Sequence, residues 1–265
     1  MTSLALFRLP CAVIVTASLA LPAAAETLRI GTEGAYAPFN FVTEDGSLKG
    51  FDVDIGNALC AQMQVECEWS AHEWGGIIPA LNAKKFDVMV ASMAITEKRQ
   101  EKVRFSSPYY FNAMRFAALK ELELDTATPA SLEGMVIGTQ SGSVAVTVLQ
   151  EYFPESEIKL YPKLGEAFLD MESGRLDLVL ESKFSIGDWM AKGTDCCAFV
   201  GEDFLMDGTI GAGIAMRLED ENLQTRIDDA LAAIIANGTY DDIRAKYFEF
   251  DIRSQPRIVS DLFKG

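Results

Sequence analysis

From Thr27 onward the chain alternates short β-rich apolar runs with segments of helical periodicity. TLRIGT at 27–32 reads as a strand, the apolar spacing over 52–64 as a helix, VECEW as a strand and 75–84 as a second helix. FDVMVAS at 86–92 is a continuous apolar run of the kind that lies in a buried parallel strand. A second set begins with MRFAAL at 114–119. It continues through MVIGT at 135–139, a helix from about 143, KLYP, a helix near 164–172, LDLVL at 176–180, a helix near 182–191 and AFVG. The C-terminal stretch adds IGAGIAM at 210–216, a helix near 219–236 stopped by Asn237-Gly238, and the amphipathic TYDDIRAKYF. This alternation predicts an α/β fold of two lobes with a ligand cleft between them. No linker-like composition separates the halves, so strand-like crossings are expected over Pro108–Met114 and about Gly201–Gly208. Lobe 1 is expected over 26–111 and 206–265, and lobe 2 over 112–205.

The first 25 residues break the alternation. One charge, Arg8, precedes an apolar run from Cys11 to Leu21 and then Pro22-Ala23-Ala24-Ala25, the order of a secretory signal peptide cleaved after Ala25. The run is far shorter than the roughly 20 residues a bilayer span needs. Residues 26–265 are therefore expected to work free in an exported, oxidising space, the periplasm. There Cys60, near the end of a helical pattern, and Cys67, at the start of the next strand, are placed to form a disulfide. Adjacent Cys196 and Cys197 bridge only with backbone strain, so two free or half-buried thiols are expected. No CxxC spacing supports thioredoxin chemistry or zinc.

Charge narrows the partners. With 39 acidic against 23 basic residues the net charge is −16, a field that repels nucleic acids and anionic lipid surfaces. A single histidine, His72, removes any His-rich metal centre and leaves a Ser/His/Asp triad only one imidazole to build on. Neither metal nor cofactor is expected.

The candidate chemistry gathers where strands end. Ser92 and Arg99, after the buried run, offer a hydroxyl, open amides and a guanidinium suited to a carboxylate; a helix cap and a solvated charge explain them equally well. Gln140-Ser141-Gly142-Ser143 precedes a helix, so Ser143 reads first as its cap and only weakly as an anion cradle. Glu33 beside Tyr36 suits a cation, and Trp74 offers a second aromatic for cation–π contact, although a packing tryptophan is the plainer reading. Asp52 and Asp54 stand at a helix start where the macrodipole explains them, and no chemistry is assigned to them; Asp241 and Asp242 read as first-turn helix charges. Glu181, ending LDLVLE next to Ser182, is placed to look into the cleft.

IGTEGAYAPFNF, GFDVDIGNALCAQM, IIPALNAKKFDVMVASMAITEKRQ, SGRLDLVL and NGTYDDIRAKYF follow one another along the chain after its leader. Together they resemble the periplasmic solute-binding proteins for polar and basic amino acids, the family of the lysine/arginine/ornithine-binding and histidine-binding proteins. The resemblance implies a type II two-lobed binding protein, each lobe a mixed, mostly parallel sheet flanked by helices. It also implies a monomer that delivers its solute to the permease of an ABC importer, and the Cys60–Cys67 disulfide of the basic amino-acid binders. Carried over, Arg99 grips the ligand α-carboxylate with Ser92 and Ser143 beside it, and Gln140 lines the same site. Tyr36 and Trp74 sandwich the ligand side chain, and Glu33 replaces the aspartate that meets its basic end.

Departures from the family pattern are Ala91 and Ala94 in place of hydroxyls, Val144 and Ala145 after the serine, and Ser182 in place of the aspartate that receives the α-ammonium. Glu33, Trp74, Ala91, Ala94, Met114 and Ser182 are together similar to the opine-binding members, which take arginine conjugates such as octopine or nopaline. A basic amino acid and an opine are therefore both expected ligands. An enzyme resembling cyclohexadienyl dehydratase, with Glu33 or Glu181 as acid or base, is the alternative on the same fold.

Overall fold

The computed structural model describes residues 26–263, so the leader expected over 1–25 lies outside the described residues. The first sheet runs, edge to edge, Glu66–Ala71, Thr27–Thr32, Val88–Met89, Ala215–Met216 and Arg104–Phe105. Its first three strands are parallel, and Ala215–Met216 is antiparallel to both neighbours. The second sheet runs Glu157–Tyr161, Val136–Gln140, Leu178–Ser182, Met114–Leu119 and Cys197–Phe204. It too begins with three parallel strands and ends with antiparallel ones. Two sheet-bearing lobes result, each flanked by helices.

Helical periodicity decides which faces are covered. Phe51–Met63 buries Phe51, Ile55 and Leu59 at four-residue spacing. Ile227, Leu231 and Ile234 of Glu221–Ala236 belong to the same core. In the second lobe Val144–Tyr152, Leu164–Glu172 and Lys183–Ala191 do the covering, the middle one where its periodicity predicts it. Gly50, ahead of Phe51–Met63, has φ +125, and a Cβ there would lie 2.2 Å from the Phe39 carbonyl oxygen. The helix entry therefore admits only glycine.

Several elements differ from expectation. The buried run over 86–92 enters the ladder only at Val88–Met89, because the chain turns away at Ser92, whose φ is +52. IGAGIAM likewise contributes only Ala215–Met216, and the helix expected over 75–84 opens as a 3₁₀ turn, Trp74–Gly76, before Ile77–Asn82. A small antiparallel sheet, Ala35–Tyr36, Asn40–Val42 and Leu48–Lys49, is too short to leave a periodic signal.

Three segments pass between the lobes. Residues 106–113 and 205–214 run side by side, with Tyr109 N donating to Ala212 O and Ala212 N to Tyr110 O at 2.9 and 2.8 Å. The second crossing falls later than the 201–208 expected, because Cys197–Phe204 stays in the second sheet. The third was not expected. Residues assigned to lobe 1 leave it after Phe248: Phe111 N donates to Ile252 O, and Leu205 N to Arg257 O. Val259 and Phe263 then pack against Phe153 and Phe204 of the second lobe, because that lobe's apolar face is open there and the tail carries the apolar residues to cover it.

Cys60 and Cys67 are bonded as expected, with Cα atoms 5.9 Å apart. Cys196 and Cys197, expected as thiols, are also bonded to each other. Cys196 sits in a bend just before its strand, where successive side chains are not forced to opposite faces as they are in extended backbone.

Replacing Cys60 and Cys67 together by alanine is expected to lower stability by about 2.5 kcal/mol, the chain entropy of so short a loop. Urea unfolding without reductant measures it, and an unchanged midpoint and slope would show that the bridge constrains nothing.

Candidate ligand-binding site

Glu33, Tyr36, Trp74, Ala91, Ser92, Ala94, Arg99, Met114, Gln140, Ser143 and Ser182, gathered from both halves of the sequence, line one cavity between the sheets. Glu181 lines it as well. So do Val144, noted as a departure from the family pattern, and Asn112, Leu205, Met206, Thr209 and Gly211, which the sequence did not single out. Five of these, Asn112, Leu205, Met206, Thr209 and Gly211, sit on the first two crossings. Their available signal was topological, since a segment that passes between lobes borders the space between them.

Arg99 reaches into the cavity from the short helix Glu97–Gln100, which Thr96 caps by accepting from the Arg99 backbone N–H. Its Nη1 donates to Ala94 O at 2.9 Å, and its Nη2 crosses to Gly142 O in the other lobe at 3.1 Å. The guanidinium lies 5.5 Å from the Trp74 ring centroid. Burial lowers its pKa to about 10, against the raising influence of Glu181, so it stays a cation throughout the physiological range.

Two carboxylates share the cavity. Glu33 Oε1 accepts from Gln140 Nε2 of the second lobe at 2.6 Å. Burial pushes its pKa up to about 7, opposed by that hydrogen bond and helped by Glu181 and Glu73. Glu181 is buried more deeply. It accepts from Ser182 N at 3.0 Å and, at 3.4 Å each, from the Thr139 and Tyr36 hydroxyls; burial raises its pKa. Neither contact at 3.4 Å is strong, but the Ser143 hydroxyl also favours the ionised form, and Glu181 and the Arg99 guanidinium attract each other. Tyr36 stacks on Phe39 at 5.5 Å and receives Asn112 Nδ2 on its hydroxyl.

Three local expectations change. Ser143 occupies the N-cap position of Val144–Tyr152 but makes no side-chain cap bond, so its hydroxyl, 3.4 Å from Thr139 Oγ1, is not spent on the helix. Ser182 does cap its helix, accepting from Phe184 N and donating to Asn112 Oδ1 at 2.6 Å. Asp52 stands in the first helical turn as expected but points inward. It is wholly buried and accepts from Tyr109, Ser92 and Asn40, because its turn of helix faces the cleft floor rather than solvent. Asp54 does face outward, 3.0 Å from Lys246 Nζ. At the rim, Lys163 and Glu73 pair across the lobes at 3.3 Å.

A two-lobed α/β chain whose lobes meet around a charged, aromatic-lined cavity has the architecture of a solute receptor. The chain belongs to the bacterial extracellular solute-binding proteins, family 3, matched over residues 28–250. It is 41% identical over 244 residues to the L-arginine-binding protein of Pseudomonas aeruginosa, covering 88% of this chain and 93% of that one. It is 31% identical over 284 residues to the octopine-binding periplasmic protein of Rhizobium meliloti, covering 91% and 97%. Among solved structures, an ancestral arginine-binding protein bound to arginine superposes with a TM-score of 0.78 at 32% identity, covering 84% of this chain and 98% of that one. The protein is thus an extracytoplasmic solute-binding protein rather than an enzyme, and the dehydratase alternative is the less supported reading.

Arg99→Ala is expected to leave the fold intact, since its side-chain hydrogen bonds go to two carbonyls. It is expected to weaken binding of a carboxylate ligand by about 2–5 kcal/mol, roughly thirtyfold or more. Isothermal titration reads this directly, and a loss under about threefold would remove Arg99 from the site.

Proposed function

We propose that the protein binds L-arginine or a close basic amino acid between its lobes and delivers it to the membrane permease of an ABC importer. On this reading it works as a monomer in the periplasm, released there by cleavage after Ala25. The observation that carries the ligand class is the charge arrangement of the cavity: Glu33 and Glu181 stand against the one cationic side chain that lines it, Arg99. Arginine has the complementary set, one carboxylate and two cations. Its carboxylate is assigned to Arg99 and Ser143, its guanidinium to Glu33 between Tyr36 and Trp74, and its α-ammonium to Glu181. Glu181 thereby takes the charge that Ser182, already bonded to Asn112, does not supply.

A second reading, an N-substituted arginine such as octopine or nopaline, is favoured by the room that Ala91 and Ala94 leave. It brings a second carboxylate for which the cavity lining has no second cation, and it ranks below arginine on that ground.

A thermal-shift series with arginine, lysine, ornithine, histidine, glutamine, octopine and nopaline tests the choice. Arginine near 100 times its dissociation constant adds about 2.7 kcal/mol to the native state, about 5–10 °C for a chain of this size. A larger shift with octopine or nopaline would select the second reading, and no shift with any compound would remove both.

The raised pKa of Glu33 gives a pH dependence with a definite sign. A cationic guanidinium pairs with the ionised carboxylate, so binding releases protons from Glu33 near and below pH 7, and affinity rises with pH there by up to about tenfold per unit. Glu33→Gln is expected to remove that proton release in titrations run in buffers of different ionisation enthalpy. Release unchanged by the substitution would mean that Glu33 does not meet the ligand's cation.

A further inference from the structure

The Trp74 ring and the Arg99 guanidinium, 5.5 Å apart, form a wall with two sides. One side lines the ligand cavity between the sheets, and the other lines a second, outer cavity of about 330 Å³ beside the turn Trp74–Gly76. Trp74, Ile78, Pro79 and Met93 give the outer cavity apolar walls, and Arg99 and Lys102 give it charge. Among the described residues no aspartate or glutamate lines it, in a chain that carries 39 acidic residues against 23 basic ones. The ligand cavity differs in this respect, since Glu33 and Glu181 stand there against Arg99.

The donors of the outer cavity are uncommitted. Among the described residues Lys102 has no carboxylate within ion-pair distance, and no group accepts from the Trp74 indole N–H. A Cβ on Gly142 would lie 3.6 Å from Trp74 Nε1, and of the two cavities Gly142 lines only the outer one, so the free N–H stands on the outer side. Arg99 gives one N–H each to the Ala94 and Gly142 carbonyls, which leaves the rest of its donors unspent. Positive charge, spare donors and apolar walls fit a carboxylate on an apolar body, whereas the ammonium of an amino acid finds no opposite charge there. We propose that the outer cavity is a second binding site, which takes a small aromatic monocarboxylate with its carboxylate between Arg99 and Lys102 and its ring against Trp74, Ile78 and Pro79. The guanidinium that holds a ligand carboxylate on its cleft side then holds another on its outer side, so the two occupants bind together but weaken each other. Only this mutual weakening rests on the arginine reading above; the outer site itself does not.

Phenylacetate is the probe, titrated by calorimetry or ligand-observed NMR, with uncharged phenylacetamide beside it. The expected dissociation constant is about 1 mM, the range open to a ligand of this size, with phenylacetamide at least about tenfold weaker. Lys102→Glu reverses the charge and Ile78→Trp fills the space. Each is expected to weaken phenylacetate about tenfold while arginine stays within about twofold, since neither residue lines the ligand cavity. No binding of phenylacetate up to about 10 mM, or equal binding by the wild type and both variants, overturns the proposal. Lys102 is exposed, so Lys102→Glu decides alone should Ile78→Trp fail to fold.

With arginine held at saturation the probe is expected to bind still, about fivefold more weakly, and arginine to lose the same factor when the probe saturates. Complete exclusion of phenylacetate by arginine would place the probe in the cleft and overturn the proposal. The absence of any mutual effect would overturn it too, because it would detach the outer cavity from Arg99. A protein that binds phenylacetate as described but not arginine removes the arginine reading and leaves the outer site standing.

Discussion

A buried carboxylate held by neutral donors organises the floor of the cleft. Placing an ionised Asp52 in a site with no exposure is costly unless every lone pair it turns inward finds a donor, and that requirement constrains three separate pieces of chain. Tyr109 must bring the first crossing against the first lobe. Ser92 must leave the sheet in a left-handed turn. Asn40 must face inward, and its Oδ1 in turn accepts from Gly34 N at 2.8 Å, which fixes the loop that carries Glu33. Two sides of the cavity, the loop that carries Glu33 and the turn beside the Arg99 guanidinium, are thereby referred to one atom group. Side chains that must meet a ligand in a single geometry gain precision from a common anchor of this kind.

The same logic separates what was legible in the sequence from what was not. Long periodic elements were legible because burial of one face writes itself into the spacing: Phe51–Met63, Leu164–Glu172 and Glu221–Ala236 all fall within a few residues of their predicted limits. All eleven residues singled out for the site line one cavity, chiefly because they sit at strand ends and match a family pattern; two-residue strands are too short to carry such a signal. The burial of Asp52 was not legible for a specific reason. An aspartate in a first helical turn is explained by the macrodipole whichever way the turn faces, and only the packing of Tyr109 and Asn40 shows that it faces inward. That Ser92 donates to Asp52 was equally hidden, since a serine donates or accepts according to its neighbours.

Arg99, Glu33, Tyr36 and Glu73 of the first lobe each touch the second, at Gly142, Gln140, Glu181 and Lys163. The first three of these contacts involve residues that line the cavity. A solute held by those residues would draw on hydrogen-bonding capacity that the opposite lobe uses in this structure.

The third crossing has a mechanical consequence. Two strands lying side by side form a narrow ribbon, which sways in its own plane almost as readily as it folds across its thickness. Residues 249–258, bonded to the first crossing at Phe111 and to the second at Leu205, widen that ribbon. Resistance to folding across the thickness grows in proportion to the width of a ribbon, whereas resistance to swaying in the plane grows with its cube. The added segment thus stiffens the connection far more against sideways displacement of one lobe past the other than against folding of the ribbon.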